Sequence, residues 1–339
     1  MTLSMKENMV LFMDRKIPEW FPNYRTEVCP IIPSCVHERA PGDGTPAQLL
    51  GGTGVDWFGV NWLFEPNSGG SMVDPSFPPV LNDISKWKEV VQFPNLDKID
   101  WASARKMDDG RIDENKFCVV TILNGPFERM HALMSMVEAN CALLTDPEES
   151  FGLLMAIADY KIKLIDKIVE YYPVDMIEVH DDWGHQRNSF MSPDTWRNLI
   201  APAMEKIIQH IKSKGIFAQV HSCGKVEPLI EDMINIGIDH WSSCQACNDI
   251  PGIIAGYGDQ ITCLGGMDTS DLVDPSVPRE ELKKRIEKRF KLLAKGGGLL
   301  PYGSRSYPIL IELINEVIAE NRDFLSNSEN QELPHLQTV

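Results

Sequence analysis

The sequence predicts an α/β protein built on a (β/α)8 TIM barrel with an N-terminal extension. Three observations lead there. From residue 117 onward, β-rich apolar runs alternate with amphipathic helical stretches every few tens of residues, which is the pattern of βαβ units and a parallel sheet. Two weaker strand patterns ahead of residue 117 raise the count to eight, and eight strands alternating with helices favour a closed barrel over an open sheet. The residues just past the strand patterns are polar and unusual, as expected where barrel strands end and their loops carry chemistry.

In chain order, strands are expected at 27–32, 56–61, 117–123, 176–180, 216–221, 240–243, 261–264 and 298–302. The helices between them announce their ends. Asp146-Pro147-Glu148-Glu149 opens one that runs to about residue 172, and Ser192-Pro193-Asp194 opens a second that ends near Gly215. A third runs from Arg279 to Lys295 and stops at Gly296-Gly297-Gly298, where glycine releases the chain from helical geometry. No internal repeat, low-complexity tract or linker interrupts the chain.

Composition excludes several classes of partner. With 339 residues, 43% hydrophobic and 24% charged, the chain can bury a large core, and no run approaches the ~18 apolar residues of a membrane span. Met1 to Arg15 mixes Lys6, Glu7, Asp14 and Arg15 with apolar residues and builds no signal-peptide core, so a cytoplasmic location is expected. Lys and Arg total 32 against 49 Asp and Glu, and a net charge of −17 repels phosphate backbones and anionic lipid. Nucleic acid and membranes are therefore not expected as partners. Eight cysteines without a secretory signal point to thiols, metal ligands or small buried residues rather than disulfides. No G-x-G-x-x-G stands between a strand and a helix and no Walker loop occurs, so nucleotide cofactors are not indicated.

The strongest local signal is Phe217-Ala218-Gln219-Val220-His221-Ser222-Cys223-Gly224. Alternate strand residues share a face, so His221 and Cys223 present an imidazole and a thiol together at the strand's C-terminal end, a donor pair suited to Zn2+. Cys244 ends the next strand pattern and Cys263 lies in the one after, so either thiol could join them. Cys29, Cys35, Cys118 and Cys141 have no such company and are expected to be structural. Asp181-Asp182-Trp183-Gly184-His185 follows the 176–180 strand and offers carboxylates and an imidazole for proton transfer or for orienting a metal-bound substrate. Asn124 to Arg129, with Glu128 among them, follows another strand, Asp268 ends the strand holding Cys263, and Tyr302, Ser304 and Arg305 follow the last. Trp57, Phe58, Trp62 and Phe64 form no helical stripe and could hold a flat ring or simply pack a core.

With these pieces in hand, the chain resembles the uroporphyrinogen decarboxylase superfamily, which includes zinc-dependent corrinoid methyltransferases. The matching motifs are Asn124-Gly125-Pro126-Phe127, Asp181-Asp182-Trp183-Gly184-His185-Gln186, Ser192-Pro193-Asp194-Thr195-Trp196, His221-Ser222-Cys223-Gly224, Gly237-Ile238-Asp239-His240-Trp241 and Leu264-Gly265-Gly266-Met267-Asp268. The resemblance spans most of the chain and implies a single domain over 1–339. It also separates two chemistries. The decarboxylase gathers a multiply acidic tetrapyrrole through an arginine-rich segment near its N-terminus, and here that stretch reads Ile17-Pro18-Glu19-Trp20-Phe21-Pro22-Asn23-Tyr24, without arginine. His221-x-Cys223, by contrast, resembles the zinc motif of the corrinoid-linked branch. One departure stands out: the coenzyme M methyltransferases take a third ligand, a cysteine, from the last strand, where this chain has Leu299-Leu300-Pro301-Tyr302-Gly303-Ser304-Arg305. Cys244 and Cys263 are the competing replacements.

The resemblance thus implies a zinc-dependent methyltransferase that moves a methyl group from a small O-methylated, preferably methoxyaromatic, substrate to Co(I) of a separate corrinoid protein. His221 and Cys223 with Cys244 or Cys263 would hold the metal, and Asp181, Asp182 or His185 would supply the proton. Asn124, Glu128, Trp183, Gln245, Asp268, Tyr302 and Arg305 would contact substrate. A cofactor-free decarboxylase-like lyase and a methylcorrinoid:thiol methyltransferase are the rival expectations.

Overall fold

The computed structural model describes residues 3–42, 51–66, 70–303 and 307–334. Ten strands lie within them: β1 (Val28–Ile31), β2 (Gly54–Val55), β3 (Asn61–Glu65), β4 (Gly70–Val73), β5 (Phe117–Ile122), β6 (Met176–His180), β7 (Phe217–His221), β8 (His240–Cys244), β9 (Thr262–Gly266) and β10 (Leu299–Tyr302). Seven form one parallel sheet in the order β1-β5-β6-β7-β8-β9-β10, each step joined through helices on the outside. This is the TIM-barrel architecture expected. The sheet curls far enough that Tyr24, just ahead of β1, meets Tyr302 at the end of β10 with ring centroids 5.6 Å apart.

One strand expected for the barrel belongs elsewhere. Residues 56–61 form the turn of a small antiparallel sheet, β2-β3-β4, in the N-terminal extension. The cause is Asp56, whose Oδ1 accepts the backbone N–H groups of Phe58 at 2.8 Å and Val60 at 3.0 Å. A carboxylate that binds the backbone two residues on competes with a strand ladder and wins where the next residues can turn. Asp56 also ties the extension to the barrel, because its Oδ2 bonds the fully buried guanidinium of Arg129 at 2.7 Å.

The outer helices follow the capping signals closely. One runs Pro147–Tyr171, and another Arg279–Leu293. Between Ser192 and Gly215 the helix widens to a π turn at Trp196–Ile200 before Ala201–Ser213, where Pro202 lacks an N–H and crowds the carbonyl a turn earlier. At the other end of the barrel, the Met5–Met13 helix covers the strand starts. His240 Nε2 contacts the Met13 carbonyl at 3.0 Å, and Arg15 bonds the Asp239 carbonyl at 2.7 Å. That end is closed, so chemistry is left to the C-terminal mouth. Among the described residues no helix is long and apolar enough to cross a membrane.

Candidate active site

Strand register builds the site. His180 on β6 lies beside His221 on β7, and His221 beside Ser242 on β8, all facing the barrel interior. One pleat lower, Thr121, Glu178, Gln219 and His240 form a second row. The interior is therefore polar at its upper end. Glu178 is the hub: it accepts from Thr121 Oγ1 at 3.2 Å, from Ser242 Oγ at 2.6 Å and from the Gln219 amide. Ser242 Oγ in turn lies 3.2 Å from His221 Nδ1.

Just above these rows, the loops after β6 and β7 approach backbone to backbone. Gly224 sits at φ +80°, and a Cβ there would fall 2.2 Å from the carbonyl carbon of Gly184. Only glycine allows that approach. It brings Asp182 against Cys223, whose N–H donates to Asp182 Oδ1 at 2.7 Å. Around His221 Nε2 then stand Cys223 Sγ at 3.4 Å and Asp182 Oδ1 at 3.9 Å. The His180 ring stacks on that of His221 at 4.0 Å and 15°. Burial would lower the His221 pKa, but the Cys223 sulfur, Asp182 and Glu178 outweigh it and raise it to about 10. The same neighbours that hold a proton there attract any cation.

His180 is held from behind. Its Nδ1 lies 2.9 Å from Glu128 Oε1, and Glu128 Oε2 lies 3.3 Å from Arg39, whose Nε donates to Asn124 Oδ1 at 3.0 Å. Burial would raise the Glu128 pKa, yet His180 and Arg39 pull it well below the ordinary carboxylate range. Glu128 is thus a buried anion aimed at a histidine. Nε2 is left as the other ring nitrogen of His180, while that of His221 meets the Cys223 sulfur.

Among the described residues, one group of three His, Cys, Asp or Glu side chains has its ligand atoms within 4.8 Å of one another: His180, Asp182 and His221. Two imidazoles and a carboxylate, with a thiol adjoining, are donors that fit Zn2+. Cys223 adjoins the group through His221 Nε2 without belonging to it, and Cys244 and Cys263 are not part of it either. A bulge explains why. Ser243 takes φ +65° and the β8–β9 register shifts between Ser242 and Cys244, so two successive residues face inward and Ser243 Oγ, not a second thiol, meets Cys223 Sγ at 3.1 Å. Cys244 turns to the other side of the sheet, where its Sγ donates to the Trp241 carbonyl at 3.1 Å. Cys263 is the register partner of Trp241 and shares that face. Burial, and the neighbouring Cys263 thiol, push the Cys244 pKa well up.

The two aspartates divide the same way. Asp182 is half-buried at the mouth, whereas Asp181 is fully buried and accepts from Glu128 N at 2.7 Å, Phe127 N at 3.3 Å and Trp183 Nε1 at 2.8 Å. It anchors the start of the Pro126–Met134 helix. Burial and the charge of Glu128 raise its pKa to about 8, against those three donors. Trp183 is likewise buried, edge-on to Trp196 at 5.0 Å. His185 is exposed beside Phe190, with ring centroids 5.7 Å apart. Gln245 caps the β7 loop, its Oε1 accepting from Gly224 N at 2.9 Å and from Gln186 at 2.7 Å. Asp268 is partly buried, and burial raises its pKa. Tyr302 packs against Tyr24 and under Arg25, whose guanidinium lies 5.0 Å from the ring centre. Arg305, like Ser304, lies outside the described residues. Asn124, in the left-handed region at φ +52°, spends its amide on Arg39 and the Glu38 carbonyl.

Sequence reasoning missed His180, Glu178, Ser242 and Arg39. His180 was the last residue of an expected strand, in register with His221, and pairing the two strands would have found it. A separate groove of about 560 Å3, lined by Leu143, Leu144, Phe190, Met191 and Pro228 among others, opens beside the loop after β6 and includes none of these donors.

The comparisons with known proteins agree with this frame. The sequence profile of uroporphyrinogen decarboxylase (URO-D) matches residues 49–301, three quarters of the chain. The chain belongs to the uroporphyrinogen decarboxylase family. Among solved structures, a methyltransferase from Methanosarcina mazei is similar with a TM-score of 0.68 and 15% identity, over 94% of this chain and 99% of that one. At that identity the likeness is one of fold. No curated protein sequence matches.

Proposed function

We propose that this member of the family is a zinc-dependent methyltransferase that takes a methyl group from a small O-methylated compound and gives it to Co(I) of a separate corrinoid protein. The observation that carries this reading is the donor cluster of His180, Asp182, His221 and Cys223 at the open end of the barrel. A fold neighbour that is itself a methyltransferase supports it, as does the absence of an arginine-rich stretch at 17–24 for a polyacidic tetrapyrrole.

In the reaction the methyl–oxygen bond breaks, a cobalt–carbon bond forms, and the oxygen takes a proton. Zinc, when bound, supplies Lewis-acid polarisation of the departing oxygen. The chain does the rest. Glu178, through Ser242, and Glu128 fix the tautomers of His221 and His180, so each presents Nε2 to the mouth. His185 would hand over the proton, while Asp181, bonded to Glu128 N and Trp183 Nε1, holds the start of the loop that carries it. Gln245, Asp268 and Tyr302 would contact substrate. The corrinoid comes from a partner protein, because the whole chain lacks a D-x-H-x-x-G loop of its own.

The test is the absorbance change when cob(I)alamin becomes methylcobalamin in the presence of methoxylated aromatics. Methyl transfer supports the reading. Coproporphyrinogen formation from uroporphyrinogen, with no transfer from any ether, would replace it with the lyase.

A further inference from the structure

We infer that the metal is held by a two-by-two donor set, His180 and Asp182 from β6 and its loop with His221 and Cys223 from β7 and its loop, and that no second cysteine takes part. This rests on the metal-dependent reading above and deepens it. Two independent features of the fold point the same way.

The first is register. His180 and His221 are partners across neighbouring parallel strands, and Asp182 and Cys223 each stand two residues further on. Residues two apart share a face in extended chain. The loops continue that alignment, as the 2.7 Å bond from Cys223 N to Asp182 Oδ1 records. Four donors are thereby gathered from only two segments. From His221 Nε2, Cys223 Sγ lies at 3.4 Å and Asp182 Oδ1 at 3.9 Å, against donor separations of about 3.3–3.6 Å in a zinc shell with bonds of 2.0–2.3 Å.

The second is what stands behind the donors. Metal-binding histidines almost always give their other ring nitrogen to a carboxylate, backbone carbonyl or water, a place a hydroxyl bonded to a carboxylate can also fill. Both imidazoles here do so, His180 to Glu128 and His221 to Ser242. Glu128 is a buried carboxylate whose placement opposite His180 has no need of solvent or substrate, so it is a positioning residue acting through that ring. The cysteines show the converse. The bulge at Ser243 turns Cys244 toward the Trp241 side of the sheet, and Cys263 shares that side.

A donor set of two neutral imidazoles, one carboxylate and one thiolate leaves the Zn2+ site electroneutral, as would His221, Cys223 and one further thiolate. With all four donors bound, the departing oxygen would enter as a fifth ligand or in place of one of them.

The experiment uses the full chain. Zinc affinity is measured by competition with a chromogenic chelator, and thiolate ligation by the sulfur-to-metal charge-transfer absorption of the Co2+-substituted protein. His180→Ala and Asp182→Ala should each weaken zinc binding at least about tenfold, and Glu128→Gln by roughly 10–100-fold with unchanged circular dichroism. The double variant Cys244→Ser/Cys263→Ser should keep both the affinity and the charge-transfer intensity, which Cys223→Ser should abolish. Should Glu128→Gln fail to fold, the His180 variant still decides. Retained affinity in both His180→Ala and Asp182→Ala, or loss of affinity or absorption in the cysteine double variant, would overturn the donor set while leaving a zinc enzyme standing. A wild-type chain that takes up no zinc would overturn both.

Discussion

Strands β6 and β7 carry His180, Asp182, His221 and Cys223; strands β8 and β9, their neighbours in the same sheet, carry Cys244 and Cys263. Both pairs carry residues that could bind a metal, yet only the first pair turns them toward the mouth. For Cys244 the difference is one residue of register. On β7 the alternation runs unbroken from Gln219 through His221 into the loop, whereas on β8 the left-handed Ser243 interrupts it and sends Cys244 to the opposite face. A single bulge decides which thiol is chemistry and which is packing.

The largest expected effect separates the two regions by function. His221→Ala/Cys223→Ala should lose its zinc and at least about a hundredfold in methyl transfer, since two remaining donors cannot close a tetrahedral shell. Elemental analysis of protein purified without added metal, with the cob(I)alamin assay, checks both. Full zinc retention would erase the distinction between the strand pairs.

Thiol labelling sharpens it next. Cys223 is partly exposed beside His221, while Cys244 and Cys263 are buried. In the metal-free native protein a small alkylating reagent should modify Cys223, together with exposed Cys141, long before Cys244 or Cys263, which should react only on unfolding. Peptide mapping over a time course reads this directly. Equal rates for Cys223 and Cys244 would place them on one face after all.

These contrasts show what a sequence carries and what it does not. Barrel class, most strand positions and the His221-x-Cys223 pair follow from local pattern, because hydrophobic alternation and capping residues act over a few residues. The strand expected at 56–61 failed because Asp56 bonds its own backbone, an effect one aspartate does not advertise. His180 and Asp182 required knowing which strands are partners. Cys244 required knowing of a bulge, and nothing in Trp241-Ser242-Ser243-Cys244 distinguishes a bulged strand from a regular one.

The bulge itself can be tested by its backbone. Ser243 sits at φ +65°, where a β-branched residue is strongly disfavoured. Ser243→Val should cost about 1–2 kcal/mol and also remove the hydroxyl that meets Cys223 Sγ at 3.1 Å. Urea denaturation measures the first. A neutral result would mean that β8 can straighten, and then Cys244 would have access to the mouth.

The smallest effect falls on the packed side. Cys244 Sγ already donates to the Trp241 carbonyl, so a serine hydroxyl at the same place keeps an acceptor while trading a polarisable, weakly polar sulfur for an oxygen in an apolar wall. Cys244→Ser should therefore destabilise by only about 1 kcal/mol, less than the burial of an unpartnered hydroxyl. Zinc content and methyl transfer should stay as in the wild type, because the lost thiol looks away from His221. The two readouts must be taken together: a stable variant stripped of zinc would show that Cys244 reaches the metal in solution, and a metal-replete variant slightly easier to unfold is what a wall residue gives.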